Sequence, residues 1–358
     1  MKNNTYFPDL DGLRFFAFLG VFLAHCFYTE LPEIKSLSLY QTIKEFSVVG
    51  IYGVNFFFVL SGFLITYLLL QEKKNEGRIR IGGFYIRRIL RIWPLYYFVI
   101  LTGFVVIPFL MHQFGEVYEE KSNVFGYIFF VNNFMEPPAT AVLGVLWSIA
   151  VEEQFYLLWP LLIAFIPVKR LPWLFSALVM ISAVYVLFRP ENLSHTLYCV
   201  SDLVIGSWLA WHVQHESGFL ARLRQLKKTA VIVIYVLGAG IILLSRSFHD
   251  ATSIMILHLL FGIFFAFVIH DQVAGENSFF KLSRSKFLTY WGKRTYGLYM
   301  LHFMVIYVIG RIFREYYTTT LFDVLVVETV VTFVLSLLAA YLSFRFFERP
   351  FLRLKEKI

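Results

Sequence analysis

The first apolar stretch of the chain, Gly12–Tyr28 (GLRFFAFLGVFLAHCFY), carries two ionisable residues, Arg14 and His25. If this stretch is an α-helix, eleven steps of about 100° place the two side chains on one face, roughly 16 Å apart along the axis. Arginine and histidine are costly in hydrocarbon, so such residues usually line a polar cavity or pathway within a membrane protein. The stretch therefore predicts a membrane helix that takes part in chemistry.

The composition of the whole chain is that of a membrane protein. Of its 358 residues, 58% are hydrophobic and only 16% are charged, and the mean hydropathy is +0.67. A soluble domain of this size has more charged residues. The two cysteines, Cys26 and Cys199, have neither metal-ligand spacing nor a disulfide pattern. The N-terminal segment is interrupted by charges and lacks a cleavage site, so we expect it to remain as the first membrane anchor.

Ten apolar runs are each close to the length that crosses a bilayer. They lie at residues 12–28, 48–71, 94–112, 146–166, 172–188, 197–214, 230–245, 254–270, 296–313 and 322–346. An eleventh run, Val124–Phe134, is short, and we expect it to be re-entrant or to lie in the outer half of the membrane, lining a cavity enclosed by protein. The sequence thus predicts an all-α integral membrane protein with about ten transmembrane helices and one short re-entrant or outer-half segment.

The distribution of basic residues sets the predicted orientation. With ten spans and a cytoplasmic N-terminus, 24 of the 32 Lys and Arg residues fall inside and seven fall outside, while Arg14 lies within the first helix. This asymmetry is the positive-inside pattern of membrane proteins. If Val124–Phe134 crossed the membrane, every later loop would be inverted. We therefore expect both termini to be cytoplasmic, and the net charge of +8 reflects topology and not nucleic-acid binding.

Three arginines, Arg87, Arg88 and Arg91, precede the third apolar run. In a helix, Arg87 and Arg91 share a face and Arg88 lies beside them. One interpretation is an ordinary positive-inside flank that meets lipid phosphates. The other is a pocket for a phosphorylated cytosolic cofactor, because the guanidinium fork matches phosphate geometry. The use of arginine three times without lysine favours the second interpretation, in which the side chains make specific phosphate contacts.

Two adjacent carboxylates, Glu152 and Glu153, lie within the run at 146–166. Neighbouring residues cannot share a helix face, so one carboxylate can face a cavity and the other a neighbouring helix or water. Glu153 could bond the His25 ring and fix its tautomer, which is the base-plus-orienter arrangement of acyl-transfer sites. A structural hydrogen bond to another helix is the alternative for each glutamate.

Three further residues each allow two interpretations. Arg14 either snorkels to the cytoplasmic interface or lines a polar pathway. His25 is either a structural residue bonded to a backbone carbonyl or a neutral imidazole held as a general base. His302 lies among apolar residues in the run at 296–313 and is either a packing residue or part of the site.

Five motifs, in order along nearly the whole chain, resemble the signature of the membrane-bound acyltransferase-3 family. They are Asp11-Gly12-Leu13-Arg14 with ten residues before His25, Phe56–Phe63 (FFFVLSGF), Arg87-Arg88 with Arg91, Trp147-Ser148 with Glu152, Glu153, Phe155 and Tyr156, and Tyr296-Gly297-Leu298-Tyr299 with His302. The resemblance implies transfer of an acyl group, usually acetyl from acetyl-CoA, to a hydroxyl of a cell-envelope polysaccharide or related acceptor in the bacterial inner membrane. It also implies that Arg14 and His25 are required, with His25 catalytic.

The residues and the resemblance together lead to one hypothesis for the site. Acyl-CoA binds from the cytosol with its phosphates on Arg87, Arg88 and Arg91, and Arg14 steadies the arm that carries the thioester. His25, supported by Glu153, deprotonates the acceptor hydroxyl or carries the acetyl group briefly itself. His302 and Glu152 line the acceptor side. The expected partners are acyl-CoA, a glycan or glycolipid acceptor and membrane lipid, without a metal ion, and the oligomeric state is left open.

The main alternative from another class is a glycolipid transporter or flippase that performs no acyl transfer. Buried charges and a re-entrant segment suit it, but inverted repeats and paired broken helices are not visible in the sequence. Some relatives in the family carry a fused extracytoplasmic domain that completes transfer. We expect residues 1–358 to form a single transmembrane acyltransferase domain without such a fusion, which acylates its acceptor itself or passes the group to a separate protein.

Overall fold

The computed structural model of the chain describes residues 6–113, 120–316 and 320–355, and all regular structure in these residues is helical. The α-helices are α1 (Pro8–His25), α2 (Pro32–Lys35), α3 (Ser38–Val48), α4 (Gly53–Glu76), α5 (Ile81–Leu101), α6 (Ile107–Gln113), α7 (Val124–Ile128), α8 (Ala141–Gly144), α9 (Leu146–Phe165), α10 (Leu171–Phe188), α11 (Thr196–Gln214), α12 (Gly218–Arg224), α13 (Lys228–Leu244), α14 (Ala251–Ala274), α15 (Lys286–Gly292), α16 (Thr295–Tyr316), α17 (Glu328–Leu342) and α18 (Arg349–Lys355). π-Helical turns at Thr102–Val106, Asp323–Val327 and Ser343–Glu348 continue these helices. The chain ends at 1–5 and 356–358, whose cytoplasmic position is predicted from the sequence, lie outside the described residues.

Eight helical segments are long and apolar enough to cross a membrane. They are Ser38–Glu76, Ile81–Gln113, Ala141–Phe165, Val168–Phe188, Lys228–Ser247, Ala251–Ala274, Thr295–Glu315 and Asp323–Leu354. Each coincides with one of the ten predicted runs, so the all-α, multi-pass membrane fold is confirmed. The predicted count of ten spans is not confirmed. The two remaining helices, α1 and α11, are less apolar than the eight segments that could cross a membrane. α11 contains Asp202 and has ten buried residues, and a helix enclosed by other helices can carry polar groups that lipid would not accept.

The short run Val124–Phe134 does not form a helix of membrane-spanning length. It contains the five-residue α7, after which Phe130 takes a φ of 57°, a conformation that is uncommon outside glycine and that ends the helix. The hydroxyls of Tyr96 and Tyr97 donate to two carbonyls of α7 at 2.8 and 3.1 Å. Protein groups therefore satisfy part of this irregular backbone, as hydrocarbon surroundings would require. Its depth in the membrane stays a prediction.

The chain forms two compact units. The first unit is Met1–Ala17, Ile51–Ile81 and Phe155–Lys293, and the second unit is Phe18–Gly50, Gly82–Gln154 and Arg294–Ile358. In the first unit, α4 and α11 approach closely at two glycines. A Cβ on Gly62 would lie 1.8 Å from the Leu203 carbonyl oxygen, and one on Gly206 would lie 1.9 Å from the Val59 carbonyl oxygen. Only glycine permits this backbone contact, which is a common way for membrane helices to pack.

The first unit also contains a buried polar cluster. Asp202 is fully buried and accepts a hydrogen bond from the Asn55 amide at 2.7 Å, and His258 Nε2 lies 3.8 Å from the same carboxylate oxygen. His258 Nε2 also lies 2.8 Å from Ser201 Oγ. These bonds connect α4, α11 and α14, so the cluster joins helices within hydrocarbon surroundings.

Candidate active site

The second unit contains seven of the site residues predicted from the sequence, which are His25, Arg87, Arg88, Arg91, Glu152, Glu153 and His302. Arg14 belongs to the first unit. α1 runs without interruption from Pro8 to His25, so Arg14 and His25 lie on one helix as the sequence predicts.

α1 ends at His25, three residues before the end expected from the apolar run, because Phe27 takes a φ of 59°. The ammonium group of Lys44, on α3, donates to the carbonyl oxygens of Ala24 and Cys26 at 3.2 and 2.7 Å. Carbonyls at a helix C-terminus have no partner further along the helix, and a lysine can supply one. Lys44 therefore fixes the backbone on both sides of His25.

Replacing Lys44 with methionine is expected to lower stability, because the stem is kept while the carbonyls of the last turn lose their donor. The cost is about 1–3 kcal/mol for groups left unsatisfied. The measurement is the thermal unfolding midpoint in detergent, with Lys35→Met, an exposed lysine on α2, as the matched control. Equal midpoints for the two variants would show that the contacts of Lys44 do not stabilise the end of α1.

The ring of His25 contacts a second histidine. Its Nδ1 atom lies 3.1 Å from Nε2 of His302 on α16, and the ring centroids are 5.3 Å apart at an interplanar angle of 25°. His302 Nδ1 lies 2.6 Å from the Tyr299 carbonyl oxygen, one turn earlier in α16. His302 is fully buried, whereas His25 is partly exposed. His25 thus has one ring nitrogen in a fixed hydrogen bond and a ring that other molecules can reach.

Two tyrosines of α16 connect the helix that carries His302 to its neighbours in the second unit. The Tyr299 hydroxyl lies 2.7 Å from Ser148 Oγ of α9. Ser148 itself donates to the Val145 carbonyl at 2.9 Å, so the shared proton is donated by the tyrosine. The Tyr296 hydroxyl donates to the Ile92 carbonyl of α5 at 2.7 Å. These bonds limit movement of α16 near His302.

Glu153 is connected to α5. Its Oε2 atom accepts a hydrogen bond from the Trp93 indole N–H at 2.9 Å, and the indole packs against Phe130 with ring centroids 5.7 Å apart. The other carboxylate atom, Oε1, is buried and has no hydrogen-bond partner among the described residues. The neighbouring Gln154 amide donates to the Phe130 carbonyl and to Asn133 at 2.7 and 2.8 Å.

These contacts differ in one respect from the hypothesis drawn from the sequence. From the sequence, Glu153 is expected to orient the His25 ring and His302 to lie on the acceptor side. In the structure, the ring partner of His25 is His302, and Glu153 is bonded to Trp93. A supporting role for Glu153 stays a prediction, as does an acceptor contact for Glu152, which is half-buried on the same helix.

The three arginines lie on α5, as the sequence predicts. Arg87 and Arg88 are half-buried and Arg91 is exposed. The guanidinium carbon of Arg88 lies 5.5 Å from the centroid of the Phe84 ring, a cation–π distance. A fourth arginine, Arg294, lies just before α16 in the same unit, with its guanidinium carbon 4.7 Å from the ring of Phe344. Their use for phosphate binding stays a prediction.

Arg14 is paired within the first unit. Its guanidinium group lies 2.5 Å from a carboxylate oxygen of Asp11, and the other oxygen of that carboxylate accepts a hydrogen bond from the Tyr6 hydroxyl at 2.7 Å. Asp11 is buried, with 3% of its surface exposed. A charge placed in a membrane helix is normally paired in this way. Within the described ranges, no three His, Cys, Asp or Glu side chains are arranged to hold a metal ion.

The fold and the site define a multi-pass, all-helical membrane protein with a histidine pair within its helices. Residues 7–345 match the acyltransferase-3 family, described as an acyltransferase domain, and the chain belongs to this family. It is 28% identical to "O-acetyltransferase OatA" of Staphylococcus aureus (strain NCTC 8325 / PS 47), over 98% of this chain and 58% of that protein. A second S. aureus protein (strain COL), provisionally named an O-acetyltransferase, is 29% identical over the same shares.

The chain therefore spans about three-fifths of the length of the curated relatives it matches. The activity that their names state belongs to those longer proteins. No solved structure matches the chain.

Proposed function

We propose that the protein transfers an acyl group, acetyl from cytosolic acetyl-CoA, to a hydroxyl of an extracytoplasmic or lipid-linked cell-envelope polysaccharide. It acts in the bacterial inner membrane with both termini in the cytoplasm. Membership of the acyltransferase-3 family supports acyl transfer in general. The observation that carries the proposal is the partly exposed His25 ring, held by a hydrogen bond to the fully buried His302. A histidine fixed on one nitrogen and accessible on the other is suited to general base catalysis.

The chemical step moves one proton and exchanges one bond. His25 accepts the proton of the acceptor hydroxyl, and the oxygen forms a bond to the thioester carbonyl carbon. The carbon–sulfur bond then breaks, and the leaving thiolate takes the proton back from His25. In the alternative order, the His25 nitrogen attacks the thioester carbonyl carbon and the CoA thiolate leaves; the acceptor oxygen then takes the acetyl group from His25, and its proton goes to the CoA thiolate. Both orders yield an ester and free CoA.

The donor is bound by arginines. The phosphates of acetyl-CoA bind Arg87, Arg88 and Arg91 on α5, because guanidinium groups form paired hydrogen bonds with phosphate oxygens. Arg14, on the helix that ends with His25, steadies the arm or the thioester carbonyl. The pairing of Arg14 with Asp11 holds its side chain in one orientation.

The carboxylates of α9 have different roles: Glu152 contacts the acceptor, and Glu153 supports the base and can also hydrogen-bond the acceptor. The Oε1 atom of Glu153 has no hydrogen-bond partner among the described residues, so it can accept a hydrogen bond from a sugar hydroxyl. Leaving a buried carboxylate oxygen without a donor is costly, and a bound hydroxyl removes that cost. Glu152, the preceding residue, is half-buried, and it contacts the acceptor.

The test is to reconstitute the purified protein in liposomes that contain a lipid-linked glycan, with radiolabelled acetyl-CoA outside. We expect label to move from CoA to an alkali-labile ester on the glycan, and protein-free liposomes are the control. Movement of the glycan across the bilayer without labelling would instead identify a transporter. Loss of acetyl-CoA without a labelled product would show thioester hydrolysis and contradict the assignment of the glycan as acceptor.

A further inference from the structure

We propose that His302 is a positioning residue that holds the proton of His25 on Nδ1, so that His25 Nε2 is the catalytic base. The inference rests on the proposed role of His25 and extends it to a single atom. The sequence predicts that His302 contacts the acceptor, and this positioning role replaces that contact. Two atoms form hydrogen bonds with the His302 ring, the Tyr299 carbonyl oxygen and His25 Nδ1, and their chemical identity locates each proton.

The proton of His302 is located by its contact with the backbone. A carbonyl oxygen only accepts hydrogen bonds, so Nδ1 of His302, 2.6 Å from the Tyr299 carbonyl oxygen, carries a proton. His302 is fully buried, and neither the carbonyl nor the second imidazole is an anion. Burial of an unpaired cation is strongly unfavourable. His302 is therefore neutral, and its Nε2 atom has a lone pair.

The lone pair on His302 Nε2 determines which nitrogen of His25 carries the proton. Nε2 of His302 accepts, so Nδ1 of His25, at 3.1 Å, donates. A neutral imidazole has one N–H group, which leaves the lone pair of His25 on Nε2. The hydrogen bond to His302 is made by Nδ1, so it does not occupy this nitrogen. The pair thus presents a single basic atom of known identity to the reacting hydroxyl.

Burial and bonding argue against direct contact between His302 and the acceptor. Its exposed fraction is zero, and both ring nitrogens already have partners. The Tyr299 hydroxyl is bonded to Ser148, which holds the turn of α16 that presents the carbonyl. Since the partner of His25 is a neutral ring and not a carboxylate, the hydrogen bond sets the tautomer without adding a negative charge beside the base.

Two variants separate positioning from packing. In His302→Gln, the amide oxygen can take the place of Nε2 and accept the proton of His25, whereas the shorter side chain of His302→Asn reaches only the Tyr299 carbonyl. We expect His302→Asn to lower kcat about 100-fold, with KM for acetyl-CoA within about twofold of the parent. His302→Gln should retain kcat within about tenfold. Equal loss in both variants, or a large change in KM with little change in kcat, would overturn the proposal.

A spectroscopic measurement tests the same inference without turnover. The ¹⁵N shifts of labelled histidine in detergent distinguish protonated from unprotonated ring nitrogens, and the His25 signals are identified by their absence in His25→Ala. We expect a protonated Nδ1 and an unprotonated Nε2 at neutral pH, with a mixture of tautomers in His302→Asn. A protonated Nε2 in the parent protein would refute the inference, even if neither variant folds. Absence of turnover with the expected shifts would refute the proposed function alone.

Discussion

His25→Ala is expected to lower acetyl-CoA turnover by about 1,000-fold or more. General bases contribute roughly 10²–10⁴-fold to catalysed rates, and a histidine that also carried the acetyl group would contribute more. The side chain lies at the last residue of α1 and is partly exposed, so substrate can reach the ring that the substitution removes. The measurement is the rate of free thiol release from acetyl-CoA by purified protein in liposomes.

The matched control for this prediction is His249→Ala, which removes an exposed histidine of the first unit that lies outside every helix. This variant should keep the turnover of the parent protein. His25→Ala also leaves the buried His302 Nε2 without its hydrogen-bond partner, at a cost of about 1–3 kcal/mol in stability, so turnover is compared at a temperature at which both variants are folded. A His25→Ala protein that folds and retains turnover would remove the base from the mechanism and favour the transporter interpretation.

The sequence predicts the helices well because the signal for each helix is local. An apolar run of bilayer length is visible in a single window, and all ten runs are helical in the structure. The apolarity of α1 and α11 is lower because Asp9 and Asp11 lie in the first and Asp202 lies in the second. A rule based on length alone counts these two helices as spans. Whether their polar residues are tolerated depends on hydrogen-bond partners from neighbouring helices, which a single sequence does not reveal.

The contacts of the site are less predictable because they join distant parts of the chain. His25 and His302 are 277 positions apart, and no spacing rule connects them. The sequence identifies both as histidines in apolar runs, but it offers Glu153 as the partner of the His25 ring and assigns His302 to the acceptor side, whereas the structure pairs His25 with His302. Lys44 gives no signal at all, since a lysine between two apolar runs looks like an ordinary loop charge. Its two carbonyl contacts become visible only where α1 ends.

Arg88→Gln and Arg91→Gln are each expected to raise KM for acetyl-CoA about tenfold, and the double variant about 100-fold. A hydrogen bond to a charged group contributes about 1.5–3 kcal/mol, and 1.4 kcal/mol is a factor of ten in affinity. The effect should be confined to substrates that carry phosphate. Acetyl-pantetheine has the same thioester and arm without the nucleotide, so its turnover should be equal in parent and variant proteins.

The comparison of the two thioesters decides between the two interpretations of this arginine group. If the arginines only anchor α5 to lipid phosphates, substitution affects both thioesters alike, through the position of the helix. If they bind the donor, the ratio of the two KM values changes while kcat for acetyl-pantetheine is constant. Arg80→Gln is the matched control, because Arg80 is exposed and paired with Glu76 at 2.7 Å. An equal rise in KM for acetyl-CoA in this control would indicate a general effect of positive charge, without a specific phosphate site on α5.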